Sequence, residues 1–247
     1  GVPISWKDLF DLTGYPCEAG SDLLAGRLAN KNAKVYNFAE AHGLICLGKT
    51  HMSELAFSGL GLNPVKETPP CVNYPGAVPG GSSSGAATSV AFGLAAAGIG
   101  SDTGGSVRIP AAWNNLVGFK PTAGKLSLDG VVPLCSRFDT VGPLTKSVED
   151  AAGLFGIMGG KEIELPAPKP VKGLTFAILK TVAMENVLDL PKKAFINSID
   201  KLEKAGARIL EISVSSVNEA MDLTRFLYSP EAYATWKHKI EKSPDLM

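Results

Sequence analysis

Two segments rich in glycine and serine hold the residues of this chain that could do chemistry. Residues 79–85 read Pro-Gly-Gly-Ser-Ser-Ser-Gly, and residues 102–108 read Asp-Thr-Gly-Gly-Ser-Val-Arg. A serine hydroxyl becomes a nucleophile once a neighbouring base removes its proton. Successive backbone N–H groups in such turns can hold the anion that the attack creates. The two segments indicate a hydrolytic centre in which Ser82, Ser83 and Ser106 are the candidate nucleophiles.

One interpretation of the first segment is the nucleophile elbow of α/β-hydrolases. Residues 81–85 satisfy its G-x-S-x-G pattern with Ser83 in the centre, but they follow Gly-Ala-Val-Pro and no buried strand. The order of the triad residues would leave His238 as the base, and His238 lies in a polar predicted helix typical of a solvated surface. The residues therefore favour a base other than histidine.

The segments that flank these serines carry a resemblance to a known family. Residues 1–8 (GVPISWKD), 48–54 (GKTHMSE), 79–122 and 138–143 (FDTVGP) resemble the amidase signature family. The resemblance is dense up to about residue 160. It implies an α/β fold with a mixed β-sheet covered by helices on both faces. It also implies one domain over residues 1–247, with a catalytic core at about 1–160 and with both ends of the family domain cut away.

The family's catalytic machinery is a Ser-cisSer-Lys triad. Matched motif by motif, the resemblance implies Lys7 as the base, Ser82 as the bridging serine and Ser106 as the nucleophile. The backbone N–H groups of Thr103, Gly104, Gly105 and Ser106 itself would form the oxyanion hole.

Further roles follow from the same match. Ser83 would give Lys7 a second hydrogen bond, and Asp102 and Arg108 would fix the second loop, with a surface ion pair as the alternative. Phe57, Ser58 and Gly59 would touch the substrate, with Phe57 as an ordinary core residue the alternative.

A lysine base must be neutral to accept a proton. Burial disfavours the ammonium form and lowers the pKa from about 10.4. Pro3, Ile4 and Trp6 predict a buried strand around Lys7.

Lys49 lies in a conspicuous Gly-Lys-Thr, but the glycine pattern upstream does not fit a Walker loop, and the family's base is not at this position.

The resemblance implies an amidase that hydrolyses a small carboxamide to a carboxylic acid and ammonia or an amine, with no cofactor. One alternative is the glutaminase subunit of a glutamyl-tRNA amidotransferase. Another is a non-catalytic binding protein on the same fold, which would have no need of a proton relay.

The composition excludes several classes of partner. The 24 basic and 24 acidic residues balance, which argues against nucleic acid and anionic membranes, and no apolar run is long enough to span a bilayer. The expected partner is a small-molecule amide, with a homodimer possible. The four cysteines and three histidines lack the spacing of a metal site. We expect a metal-free cytoplasmic protein with reduced thiols.

Strand and helix patterns alternate along the chain, which is typical of an α/β architecture. Ser147, followed by Asp150, predicts a helix start, and residues 166–172 predict a linker. Helices are predicted over 32–41, 84–97, 192–204, 217–227 and 230–242. Strands are predicted over 1–8, 44–47, 99–101, 116–121, 174–179 and 208–212.

Overall fold

The structure is a computed structural model that describes residues 1–161 and 167–246. The chain divides into two compact units. The first comprises Gly1–Leu165 and Glu231–Met247, and the second comprises Pro166–Pro230. The predicted linker over 166–172 begins at this division, and its first residue lies outside the described part of the chain.

A five-stranded sheet forms the centre of the first unit. Its strands are β1 (Val2–Lys7), β2 (Leu44–Thr50), β3 (Ala97–Asp102), β4 (Val117–Gly118) and β5 (Thr140–Thr145). Their spatial order is β2-β1-β3-β5-β4. β1 runs parallel to β2 and β3, whereas β5 runs antiparallel to β3 and β4. The predicted mixed sheet is confirmed.

Helices cover both faces of this sheet, as predicted. They are α1 (Lys34–Ala41), α2 (Ser84–Ala91), α3 (Arg108–Trp113) and α4 (Val148–Met158). Trp6 of β1 packs edge-on against Tyr36 of α1, whereas its neighbour Ser5 bonds to Ser89 of α2. Because successive strand residues point to opposite faces, α1 and α2 lie on opposite sides of β1.

The second unit contains a separate two-stranded parallel sheet of β6 (Thr175–Lys180) and β7 (Arg208–Ser213), together with α5 (Asp189–Lys204). The helix α6 (Ser215–Lys242) begins in this unit, and its residues from Glu231 onward belong to the first. Single 3₁₀ turns occur at Asp22–Leu24, Glu54–Ala56, Val182–Met184 and Pro244–Leu246.

Several boundaries differ from the sequence-based expectation. The helix predicted over 84–97 ends at Ala91, because Gly93 adopts a φ of 76° and the chain then enters β3. The two helices predicted over 217–242 form the single helix α6 with Pro230 inside it. A proline removes one backbone donor and bends a helix, but it does not always end one.

Candidate active site

Lys7 is the last residue of β1, and its side chain is fully buried. Its Nζ donates hydrogen bonds to Ser82 Oγ at 2.6 Å and to Ser101 Oγ at 2.8 Å. Burial lowers the pKa of Lys7 to about 7, against the charges of Asp139 and Asp102, which raise it. The site therefore holds an amine of which about half is unprotonated at neutral pH, in contact with a serine hydroxyl.

The loop that carries Ser82 is held on two sides. The Gly81–Ser82 peptide bond is cis. Gly81 N donates to Gly59 O at 2.8 Å, and Ser53 N donates to Ser82 O at 3.2 Å. A Cβ on Gly81 would lie 2.7 Å from Gly61 Cα, so only glycine fits this close backbone approach. These contacts fix a fully buried Ser82 beside Lys7.

Ser83 bonds to Ser101 and not to Lys7. Its hydroxyl donates to Ser101 O at 3.2 Å and accepts from Ser101 N at 3.3 Å. The expected bond from Ser83 to Lys7 is therefore wrong, because the hydroxyl of Ser101 forms the second bond to Lys7 in its place. Ser83 can support the amine only through Ser101, which sequence reasoning missed.

The elbow interpretation gains no support from the fold. Ser83 is fully buried and its hydroxyl is engaged by the backbone of Ser101. His238, the histidine that this interpretation requires, is exposed on α6.

Asp102, at the end of β3, organises the second loop. Its fully buried carboxylate accepts from Gly105 N at 2.8 Å and from Val107 N at 3.1 Å, and it accepts two bonds from the Arg108 guanidinium at 2.9 and 3.0 Å. Burial alone would raise the pKa of Asp102, but Arg108 and the backbone donors hold it below its usual range. The ion pair of the alternative is present, with the Arg108 side chain 52% exposed, but its carboxylate is buried and also accepts backbone bonds from the loop.

Ser106 lies within this turn, between the two residues whose N–H groups bond to Asp102. It is 8% exposed, whereas Lys7 and Ser82 are fully buried. Its carbonyl accepts from Ser83 N at 3.2 Å and so joins the two glycine-serine loops. Of the N–H groups predicted to form the oxyanion hole, that of Gly105 donates to Asp102. Thr103, Gly104 and Ser106 itself are left as the candidate donors.

Asp139 is a second buried acid that sequence reasoning did not single out. It is 6% exposed and accepts the hydroxyl of Thr103, the residue that opens the second loop. The only sequence signal for it was its place in the segment 138–143.

Of the predicted substrate residues Phe57, Ser58 and Gly59, the last bonds directly to the first loop. Gly59 accepts a bond from Gly81, and Leu60 O accepts one from Gly80 N at 3.1 Å. Phe57 is 52% exposed, so the alternative that it is a core residue is wrong.

Lys49 has a different environment from Lys7. Its Nζ pairs with Asp8 at 2.9 Å, and its side chain is 15% exposed. This ion pair is consistent with the expectation that Lys49 is not the base.

Within the described residues, no three or more His, Cys, Asp or Glu side chains are grouped so that they could bind a metal ion. The four cysteines are free thiols. None of the helices that the structure describes has the length and apolarity needed to cross a membrane.

Several known proteins are similar to this chain over most of its length. A 2-amino-5-chloromuconic acid deaminase from Comamonas testosteroni is 37% identical over 91% of this chain and 50% of its own length. An indoleacetamide hydrolase from Pseudomonas syringae pv. syringae is 35% identical over 97% of this chain and 56% of its own. A glutamyl-tRNA(Gln) amidotransferase subunit from Lactococcus lactis subsp. cremoris is 35% identical over 94% and 50%.

The fold also matches solved structures. A crystal structure of an amidase superposes with a TM-score of 0.90 at 33% sequence identity, and the match covers all of this chain and 56% of that one. The chain thus spans about half the length of the proteins it matches. The sequence model of the family described as Amidase matches residues 1–245. With its mixed sheet and its paired glycine-serine loops, the chain belongs to the Amidase family.

Proposed function

We propose that the chain carries the catalytic centre of an amide hydrolase in which Ser106 is the nucleophile, Ser82 the bridging serine and Lys7 the base. The observation that carries this proposal is the 2.6 Å contact between Lys7 Nζ and Ser82 Oγ in a fully buried setting. An exposed lysine is an ammonium at neutral pH and cannot accept a proton. The chemistry would lie in the first unit, which includes the predicted core at about residues 1–160.

The reaction begins with proton transfer. Lys7 takes the proton of Ser82, and Ser82 takes the proton of Ser106 as its Oγ attacks the amide carbonyl carbon. The carbonyl π pair moves onto oxygen to give a tetrahedral intermediate. Backbone N–H groups of the Thr103–Ser106 turn would bind this oxyanion, and each good donor of this kind is worth roughly 2.7–4 kcal/mol.

The intermediate then collapses. The C–N bond breaks as the proton held by Lys7 returns through Ser82 to the leaving nitrogen, which departs as ammonia or an amine. Water attacks the resulting ester on Ser106 and passes its proton to the same relay. The carboxylic acid leaves and the serine regains its hydrogen.

The substrate class follows from the relatives and from the first loop. Indoleacetamide, named for the Pseudomonas relative, is a small primary carboxamide. In this chain Gly59 bonds to Gly81 of the first loop, and Phe57, two residues earlier, is exposed and offers an apolar surface. We propose a small carboxamide as substrate.

The four free thiols fit a cytoplasmic, reducing compartment. A homodimer would be tested by sedimentation.

A second candidate is the glutaminase component of an amidotransferase. The observation that favours it is the similarity to the amidotransferase subunit from Lactococcus. That role uses the same relay to release ammonia from glutamine, and it predicts that partner proteins stimulate the release.

The decisive test uses a fluorophosphonate, which reacts with activated serine hydroxyls. The full-length protein would be labelled and the adduct located by peptide mass mapping. We expect the adduct on Ser106, abolished in Ser106→Ala and strongly slowed in Lys7→Ala. Lys49→Ala is the matched control, because Lys49 is an ion-paired lysine outside the relay. Unchanged amide hydrolysis in Ser106→Ala would overturn the proposal, and labelling of Ser83 would support the elbow.

A further inference from the structure

Asp139 is distant from Thr103 in the sequence but lies against it in the fold, at the start of the Thr103–Ser106 turn. It lies in the loop before β5, and Thr140, the first residue of β5, pairs with Asp102 in the antiparallel ladder. Thr140 Oγ1 donates to Asp102 O at 2.8 Å. Thr103 and Asp139 directly follow and precede the two members of this pair, so they lie next to each other. The Thr103 hydroxyl donates to the Asp139 carboxylate.

The Asp139 carboxylate also fixes its own loop. It accepts from Leu134 N at 2.9 Å and from Cys135 N at 3.1 Å. The carboxylate is 6% exposed, so these bonds form away from bulk water. Hydrogen bonds that end on a buried charged group are stronger than neutral ones and more costly to leave unmade.

Two acids thus hold the two ends of the same turn. Asp102 binds the later backbone N–H groups, those of Gly105 and Val107, and Asp139 binds the side chain of Thr103 at the beginning. Between these anchored points lies Gly104, a candidate oxyanion donor. A donor aligned in advance costs no reorganisation when the anion forms.

We propose that Asp139 is a positioning residue for amide hydrolysis, which holds Thr103 so that the oxyanion-binding turn is formed before substrate arrives. The inference rests on the proposed function of the Ser106 site. It gives Asp139 a role that acts through Thr103 and requires no contact with substrate.

The charge of Asp139 supplies a second, independent readout. Lys7 faces two acids, Asp139 and Asp102, and the larger of their effects in raising the pKa of Lys7 comes from Asp139. Removal of this charge would lower the pKa of Lys7 further. This shift follows from the charge alone, so the hold of Asp139 on Thr103 is judged by kcat in the single and double variants.

The test combines Asp139→Asn and Thr103→Val, singly and together, in the full-length protein. An asparagine has one acceptor oxygen, so it cannot replace a carboxylate that accepts from Thr103 and two backbone donors. We expect kcat to fall about 10- to 100-fold in Asp139→Asn and about 10-fold in Thr103→Val, with KM within twofold, since one oxyanion donor is worth about 10²–10³ in kcat. The double variant should be no slower than Asp139→Asn.

The pH profile separates the two effects. The acid limb of kcat/KM should move to lower pH in Asp139→Asn and stay in place in Thr103→Val. Asp129→Asn, an exposed acid in the preceding loop, is the matched control and should leave both readouts unchanged. If Asp139→Asn does not fold, the test rests on Thr103→Val and on Thr103→Ser, which keeps the hydroxyl. We expect kcat to fall in Thr103→Val and to stay near the wild-type value in Thr103→Ser.

Effects of Asp139→Asn and Thr103→Val that multiply in the double variant would overturn the inference, as would wild-type kcat in Thr103→Val. The proposed function is judged separately by Ser106→Ala. If Ser106→Ala is inactive and Thr103→Val has normal kcat, the inference about Asp139 fails and the proposed function stands.

Discussion

The side-chain nitrogen of Lys7 lies 2.8 Å from Ser101 Oγ, so the buried amine has a second hydroxyl partner besides Ser82. Loss of this partner leaves one donor of the amine unpaired in a dry site, which typically costs about 1–3 kcal/mol. We expect Ser101→Ala to lower kcat about 10-fold with KM little changed, measured by steady-state amide hydrolysis.

The matched control for Ser101 is Ser89→Ala. Ser89 bonds to Ser5 on the same strand as Lys7 but does not reach the amine. Equal activities for the two variants would show that Ser101 does not hold the base.

The activity should depend on pH through Lys7. Only the neutral amine accepts a proton, and the pKa of Lys7 is lowered to about 7. We expect kcat/KM to fall as the pH drops below about 7 and to reach a plateau above it. A profile that is flat from pH 6 to 9 would argue against Lys7 as the base.

The same pKa shift predicts a pH dependence of stability. The pKa of Lys7 is about 7 in the folded protein, against an ordinary value of 10.5, so the unfolded chain binds the extra proton between these limits. The free energy of unfolding should therefore rise with pH across this window, with a slope from this group of up to about 1.4 kcal/mol per pH unit. Lys7→Met should remove that part of the slope in urea titrations at pH 7.5 and 9.5. If the free energy of unfolding rises equally with pH in the wild type and in Lys7→Met, the lowered pKa of Lys7 is contradicted.

Gly100 on β3 lies against Ser83, which supports the proposed relay through Ser101. A Cβ at Gly100 would lie 2.5 Å from Ser83 Oγ and 2.8 Å from Ser83 Cβ. Gly100→Ala should displace Ser83 from Ser101 and lower kcat at least 10-fold. The control is Gly153→Ala in α4, where a Cβ meets nothing within 4 Å and alanine should stabilise the helix by about 1 kcal/mol. Circular dichroism and initial rates on both variants distinguish a local effect from unfolding.

Phe57 should act on substrate binding and leave the chemistry unchanged. Phe57 is 52% exposed, so removal of its ring would empty no part of the core. We expect Phe57→Ala to raise KM for an aromatic carboxamide several-fold while kcat stays within twofold. An equal fall in kcat and in thermal stability would show that Phe57 supports the fold instead.

Local patterns predicted the elements that depend on neighbouring residues. Ser147 caps α4 as expected, because its Oγ accepts from Asp150 N at 3.0 Å. Of Pro3, Ile4 and Trp6, which predicted a buried strand, Ile4 and Trp6 are buried and Pro3 is exposed, and the buried end of the strand holds Lys7. These features follow from residue types within a few positions of each other.

Contacts between distant segments were not predictable in this way. β5 reads Thr-Val-Gly-Pro-Leu-Thr and lacks a strand alternation, and its pairing with β3 and β4 makes it a strand. The pairing of β5 with β3 places Asp139 beside Thr103, and the pairing of β3 with β1 brings Ser101 to Lys7. No local periodicity encodes either contact, so a single sequence could identify the relay residues by resemblance but not the side chains that hold them.

The position of β1 between β2 and β3 has a consequence for how the protein loses activity. The backbone amides of β1 are bonded to neighbours on both sides, so they exchange their hydrogens with solvent only when the sheet itself opens. Lys7 stands at the end of that strand, next to the buried Trp6. In deuterium-exchange experiments under mild denaturant, loss of activity through displacement of the proposed base Lys7 should coincide with exchange of β1 and should not precede it.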